Sequence, residues 1–223
     1  MSLLDWIYPP KCISCRTIFT PVHNAPRKWI CKNCRPLLIP APEPIGRECL
    51  AAFVYDDLMR DMIHNMKFRS ERRIAQGLGI LFAEEAAGWG LKADVIVPVP
   101  LHPSKRRIRG FNQAEVLAKP VADALGIPIA PDMILRVKKT LPQSGLSVTA
   151  REENLMDAFT FNNKKHSAAG KRIILIDDIY TSGATMNACS EILMRSGADE
   201  IRLAALSMVI KDFSHDTNTT GDF

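Results

Sequence analysis

Two adjacent acids, Asp177 and Asp178, separate an apolar run from a short hydroxyl-rich segment at residues 181–185. Ligands of α/β proteins bind where parallel strands end, and the N–H groups that begin a helix attract phosphate. Paired carboxylates accept hydrogen bonds from vicinal hydroxyls, so this pattern predicts a site for a ribose 5-phosphate. The alternative is an ordinary strand, turn and capped helix, which explains the hydroxyls but leaves the paired acids unexplained.

Four of the six cysteines form two Cys-x2-Cys pairs separated by fifteen residues. Two thiolates on a tight turn can bind one metal ion, and a second turn completes the tetrahedron of a zinc ribbon. Four thiolate ligands leave no open position, which indicates a structural metal. A redox pair, a cluster of free thiols and an iron site are the alternatives. The predicted metal ligands are Cys12, Cys15, Cys31 and Cys34. We expect the remaining two, Cys49 and Cys189, to be buried structural residues.

The net charge of +5 is concentrated in one stretch of the chain. Residues 101–139 hold eight basic and three acidic side chains, an excess equal to that of the whole chain. The stretch is either a solvated surface or an anion site for phosphates or a nucleic-acid backbone. Because a phosphate site is already predicted from residues 177–185, we favour the anion site.

The composition and the N-terminal segment exclude several classes of protein. With 47% hydrophobic and 24% charged residues, the chain is neither disordered nor fibrous. It has no apolar run of about 18 residues, and residues 1–12 lack the basic start and long apolar stretch of a signal peptide, so we expect none there. We therefore expect a cytoplasmic protein without membrane insertion, whose cysteines are reduced or metal-bound.

Alternating apolar patterns predict strands interleaved with helices, and therefore a mostly parallel sheet in an α/β domain. The predicted strands cover residues 49–54, 94–99, 173–176 and 201–208, and the predicted helices 57–67, 74–87, 112–125 and 185–196. A basic loop should precede the third helix, which Pro120 should kink or split. We predict three parts: a small separate module (1–45), the α/β domain (46–210) and a polar C-terminal tail (211–223).

Taken together, the motifs resemble the ComF family, competence-associated proteins with a phosphoribosyltransferase-like domain. Four stretches carry the resemblance: the cysteine pairs, residues 97–102 with 109–114, residues 136–143 with 151–159, and the acid-pair segment. The second of these reads Val-Pro-Val-Pro-Leu-His and Arg-Gly-Phe-Asn-Gln-Ala. The resemblance covers roughly residues 10–210. It implies a type I phosphoribosyltransferase fold with an N-terminal four-cysteine zinc ribbon.

The resemblance also implies a ligand, phosphoribosyl pyrophosphate (PRPP), and a role for each motif. Asp177 and Asp178 would be the catalytic pair that binds the ribose 2- and 3-hydroxyls. The 5-phosphate would be bound by Thr181, Ser182, Gly183, Ala184 and Thr185. Pyrophosphate would be bound by Pro100, Leu101, His102, Lys105, Arg106 and Arg109, although His102 fits a hydrogen-bonded loop residue equally well. A hood loop over residues 136–156 would present Arg136, Gln143 and Arg151, for which solvated side chains are the alternative.

The implied cofactors are structural Zn²⁺ and Mg²⁺, the latter held mainly by the pyrophosphate and the ribose hydroxyls. The implied reaction is displacement at the anomeric carbon of the ribose, with pyrophosphate leaving. Purine-salvage relatives often carry an acid where this chain has Thr181, which argues against a 6-oxopurine acceptor.

The family's link to competence implies a role in DNA uptake through cytoplasmic handling of single-stranded DNA, with competence-machinery proteins as further partners. The DNA-binding candidates are Lys105, Arg106, Arg107 and Arg109, with Phe111 nearby for base stacking. Two alternatives stay open. One is an active phosphoribosyltransferase with an unidentified acceptor, and the other is a PRPP sensor without turnover.

Overall fold

The structure, a computed structural model, describes residues 11–19, 29–43, 49–68, 71–138 and 157–210. In chain order its strands and α-helices are β1 (Leu50–Val54), α1 (Asp57–Phe68), α2 (Arg72–Ala86), β2 (Val95–Pro98), α3 (Pro103–Arg109), α4 (Gln113–Leu125), β3 (Ile134–Arg136), β4 (Phe159–Phe161), β5 (Arg172–Tyr180), α5 (Ala184–Arg195) and β6 (Glu200–Met208). Short 3-10 turns lie at Arg35–Leu37 and Ala87–Trp89. Each helix within these ranges is either too short or too polar to span a membrane.

Four strands form a sheet in the order β1-β6-β5-β2, and all three pairings are parallel. The apolar half of β5 is buried on both faces: Ile174 and Ile176 enter one core, whereas Ile173 and Leu175 enter the other. A sheet covered on both sides requires such continuous apolar strands. The predicted α/β architecture is confirmed. The small antiparallel pair β3–β4 was not predicted from the sequence.

Two elements differ from the expectation. The predicted basic loop is largely the helix α3, which begins with Pro103 at its first position and ends at Gly110, where φ is +82°. A proline is favoured at the first helical position and a left-handed glycine at the end. The strand β5 continues to Tyr180, so both acids lie inside the strand and not after it.

Pro120 does not split α4, which is continuous from Gln113 to Leu125. Proline has no N–H to donate to the carbonyl of Val116, one turn earlier. The neighbouring helix α2 places Gly79 at this point. A β-carbon at Gly79 would lie 3.1 Å from Pro120 Cγ and 3.2 Å from the Val116 oxygen. Helix α2 therefore packs closely on the turn of α4 that lacks this hydrogen bond, and α4 continues through it.

The cysteine-containing segment packs directly on the α/β domain. A β-carbon at Gly77 of α2 would lie 3.0 Å from Ile13 and 3.1 Å from Trp29 Cβ, so a larger residue would push both side chains away by a few tenths of an ångström. Residues 39–41 pair with β1: the Val54 N–H donates to Ile39 O at 2.8 Å, and Pro40 bridges Phe53. The segment and the domain therefore share one apolar core. The boundary predicted near residue 45 and the tail after 210 lie outside the described residues.

Candidate functional site

The acid pair lies near the carboxyl end of β5. The Asp178 N–H donates to Asp177 Oδ1 at 2.8 Å. The Asp178 side chain forms a salt bridge with Lys67 Nζ at 2.8 Å, and Asp178 is only 8% exposed. Lys67 lies in the last turn of α1, and its ammonium group is thereby placed near the carboxyl end of β5. Sequence reasoning assigned Lys67 no role, because its place in an amphipathic helix does not indicate which strand end it contacts.

The two acids do not share the same electrostatic environment. Burial, together with the negative charge of Asp178, raises the pKa of Asp177 to about 7. The Asp178 N–H and the cations Lys67 and Arg136 act in the opposite direction. Asp178 has an ammonium partner, whereas Asp177 is held chiefly by a backbone N–H. The pair therefore retains a proton on Asp177 in mildly acidic solution.

The raised pKa of Asp177 predicts a pH-dependent stability. The folded chain holds this proton up to about pH 7, whereas an unfolded aspartate releases it near its ordinary pKa of 3.8. The free energy of unfolding should therefore decrease as the pH rises between these two values, because the folded state binds more protons there. Urea denaturation across this window measures the slope. D177N, which has no carboxyl group to titrate at this position, should show a shallower decrease, and an unchanged slope would contradict the assignment.

The predicted phosphate segment forms the turn from β5 into α5. Gly183 is the residue before the helix, with φ +74°, and a β-carbon there would lie 2.7 Å from the Tyr180 hydroxyl oxygen. The left-handed backbone favours glycine, and any larger residue would also displace the Tyr180 ring. Thr181 and Ser182 are exposed, and no side chain caps the start of α5 among the described residues. The first N–H groups of α5 are thus available to an anion, beside the acid pair.

The loop after β2 lies beside β5. Pro98 is in register with Ile176, and the Val99 N–H donates to Ile176 O at 2.8 Å. The buried Asn112 side chain donates to Val99 O at 3.0 Å and anchors the loop. The predicted pyrophosphate residues Pro100 and Leu101 follow at this edge of the sheet.

His102 precedes α3 and caps it. Its Nδ1 accepts from the Ser104 N–H at 3.2 Å and lies 2.7 Å from Ser104 Oγ. In this structure His102 is therefore a hydrogen-bonded loop residue, which was one of the two predictions for it. A ligand contact by the other ring nitrogen stays a prediction.

The cations of α3 fall into two groups. Arg109 is half-buried; burial lowers its pKa, and the charge of Asp178 acts in the opposite direction. Lys105, Arg106 and Arg107 are exposed, and Arg106 forms a salt bridge with Glu115 at 3.3 Å. Arg109 is thus the half-buried cation of α3, and it interacts electrostatically with Asp178.

Phe111 is only 7% exposed, so the prediction that it stacks on bases is wrong. Its ring belongs to the apolar core beside the anchored Asn112. An aromatic residue between polar neighbours suggested an exposed side chain, but the turn after α3 directs it inward.

One member of the predicted hood lies near the acids. Arg136 ends β3, and its guanidinium lies over the Phe159 ring, 5.1 Å from the centroid. Burial lowers the pKa of Arg136, whereas Cys189 and Asp177 raise it. Gln143 and Arg151 lie outside the described residues. Cys49 and Cys189 are both fully buried, as predicted, and burial raises their pKa values.

The four predicted metal ligands converge. The sulfur atoms of Cys12, Cys15, Cys31 and Cys34 lie within 4.8 Å of one another, and those of Cys15 and Cys31 are 3.7 Å apart. Tetrahedral zinc with Zn–S bonds of about 2.3 Å requires sulfurs about 3.8 Å apart. The hydrogen bond with Thr17 lowers the pKa of Cys15 to about 6, whereas burial raises that of Cys34 to about 12. The cluster fits a metal ion such as zinc.

Comparison with known proteins gives consistent matches. Residues 112–216 match the phosphoribosyl transferase domain family. The chain is 31% identical to competence protein F of Haemophilus influenzae, over 79% of this chain and 77% of that protein. It is 32% identical to the DNA utilization protein YhgH of Salmonella typhi, over 65% of each. It is also 32% identical to competence protein ComFC of Bacillus subtilis, over 68% of this chain and 60% of that protein. The last two matches span less than two thirds of those relatives.

Proposed function

Because this chain belongs to the ComF family of competence proteins, we propose that it binds PRPP with Mg²⁺ at the carboxyl edge of its sheet. We further propose that it supports DNA uptake by handling single-stranded DNA in the cytoplasm. The observation that carries the PRPP proposal is the convergence of two different subsites at one strand end. Asp177 and Asp178 lie near the end of β5, and after residues 179–183 α5 begins without a side-chain cap. A ribose 5-phosphate carries a diol and a phosphate that match these two subsites.

Each part of PRPP then has a complementary group. The carboxylates accept the 2- and 3-hydroxyls, and residues 181–185 bind the 5-phosphate through N–H groups and hydroxyls. Pyrophosphate lies against the loop of Pro100, Leu101 and His102, with Arg109, the half-buried cation of α3, to neutralise it. Mg²⁺ binds oxygens of the ligand and requires few protein ligands. Arg136, at the end of β3, adds a positive charge that acts on Asp177.

Turnover would place an oxocarbenium-like charge at the anomeric carbon, which the neighbouring carboxylates stabilise while pyrophosphate leaves. Calorimetry with PRPP and Mg²⁺ tests binding, and release of pyrophosphate separates an enzyme from a sensor. Heat of binding without pyrophosphate release in the presence of candidate bases would assign a sensor. If the wild-type chain binds no PRPP, the proposal fails.

The DNA part of the proposal is supported by the exposed cations of α3 and by the names of the relatives. We expect R106E/R107E to weaken binding of a single-stranded oligonucleotide by roughly 100-fold or more at low salt, because each reversal replaces a phosphate contact by repulsion. Fluorescence anisotropy at several salt concentrations measures this effect. Wild-type affinity should fall steeply with salt.

A matched control changes the net charge equally at other exposed lysines, Lys92 and Lys164. K92E/K164E should bind the oligonucleotide much more strongly than R106E/R107E. Equal losses in the two variants would indicate only a response to net charge. A wild-type affinity that is independent of salt would overturn the DNA part while leaving the PRPP part intact.

A further inference from the structure

A cavity of about 450 Å³ lies between α2, α4 and the cysteine-containing segment. Its volume is within the roughly 300–1,000 Å³ typical of small-molecule sites. None of its lining residues belongs to the acid pair, the phosphate segment or the loop after β2. The proposed PRPP site therefore does not account for this cavity.

The cavity has an apolar lining with a fixed aromatic ring. Ile80, Val116 and Pro120 line it together with Trp29. Trp29 is held against α2 by the close approach at Gly77, and the Arg73 guanidinium lies 5.7 Å from its ring centroid. A tryptophan fixed in this way offers a rigid surface for another flat ring.

The rim of the cavity carries positive charge. Arg72 lines it from α2 and Lys119 from α4, and the Gln76 amide adds a donor and an acceptor. Lys119 forms an exposed ion pair with Asp123 on its own helix. Because such pairs contribute little to stability, Lys119 can bind an anion instead. The acid of the rim, Glu115, is compensated by Arg106 of α3 at 3.3 Å. Cations above an apolar aromatic floor favour a planar heterocycle that carries phosphate.

We propose that this cavity binds one nucleotide unit of single-stranded DNA, with the base against Trp29 and a phosphate between Arg72 and Lys119. The proposal rests on the DNA-handling function proposed above. The salt bridge between Arg106 and Glu115 joins the exposed cations of α3 to the cavity rim. A DNA strand that binds along α3 thus reaches the Trp29 ring, on which a base can stack. Phe111 cannot provide such a ring because it is buried.

The test measures anisotropy of a labelled oligothymidylate with the full chain. W29L should weaken binding by about tenfold, within the range of one lost stacking contact, whereas W29F should retain most of the affinity. R72Q/K119Q should weaken binding and reduce the dependence of log affinity on log salt by about 0.7, the value for one phosphate contact on a single strand. W89L, at a tryptophan packed on Phe82, and K92Q/K164Q are the matched controls.

The outcomes separate the two proposals. If the wild-type chain binds no oligonucleotide, the DNA function itself fails. If the wild-type chain binds but W29L and R72Q/K119Q bind equally well, only the cavity assignment is overturned. Should W29L fail to fold, which thermal unfolding and PRPP calorimetry would reveal, R72Q/K119Q decides the question. Thymidine monophosphate serves as the second probe, and an affinity equal to that of the strand would assign the cavity to free nucleotides and overturn the strand assignment.

Discussion

The variant D177N/D178N is expected to lose PRPP–Mg²⁺ binding by roughly 100- to 10,000-fold. Each carboxylate would accept charge-assisted hydrogen bonds from a ribose hydroxyl, worth about 1.5–3 kcal/mol, and every 1.4 kcal/mol is a tenfold change in affinity. An amide has nearly the same shape, but it carries no charge and can direct donors at the hydroxyls. The substitution therefore tests charge and acceptor capacity with little change in volume.

Calorimetry with PRPP and Mg²⁺ measures the loss, and the two single variants apportion it. The Lys67 ammonium, only 23% exposed, loses its partner in D178N, so thermal unfolding must accompany the titration. D177N removes a carboxyl group that burial keeps protonated below about pH 7, and it should lose less affinity at pH 6 than at pH 8.

The control for this experiment is D94N/D199N, which removes two charges at the amino ends of β2 and β6, the opposite end of the strands from the acid pair. Asp94 forms a salt bridge with Arg172 at 3.0 Å, and its loss should cost little because the pair is on the surface. This variant should bind PRPP as the wild type does. PRPP binding by D177N/D178N at wild-type affinity would show that the acids do not hold the diol.

Removal of the metal is expected to destabilise the whole described domain and not only the cysteine-containing segment. Structural zinc contributes on the order of 10 kcal/mol to the folding of its own module. Here Ile13 and Trp29 pack on Gly77 in the core of the domain. Loss of even about 4 kcal/mol would lower Tm by roughly 8–16 °C in a chain of this size.

Atomic emission should find one zinc per chain, and circular dichroism before and after chelation should show the shift in Tm. C12S should reproduce the effect of the chelator, and zinc should no longer restore its stability. C189S is the matched control, because Cys189 is equally buried but lies in the other core. It should lower Tm while zinc content stays unchanged. An unchanged Tm after complete removal of zinc would contradict a structural role.

The parts of the fold that the sequence predicted are those with a long local pattern. The strand β5 and the helix α5 follow from an apolar run and a hydroxyl-rich start, and α4 from its apolar period. In contrast, α3 has four basic residues in seven and one apolar side chain, Ile108, that is 85% exposed. No period could indicate this helix. Its proline and its terminal glycine were the available signals.

Contacts between distant segments could not be predicted in the same way. Lys67 and Asp178 stand on α1 and β5, and only the order of strands in the sheet brings the end of α1 over β5. The cysteine spacing predicted a cluster but not its docking on α2, which depends on Gly77. Likewise, the inward direction of Phe111 depends on the turn that Asn112 anchors. Such features arise from tertiary packing and leave no periodic trace.

The pairing of residues 39–41 with β1 has a consequence for solubility. β1 is an outer strand of the sheet, and an open strand edge is a template for pairing with another molecule. The segment that covers this edge follows directly after Cys34, a predicted metal ligand, and the turn at Arg35–Leu37. Loss of the metal would therefore uncover hydrogen-bonding groups of β1 as well as apolar surface. The expected fate of the metal-free protein is self-association through this edge, so the cysteine cluster also protects the sheet against aggregation.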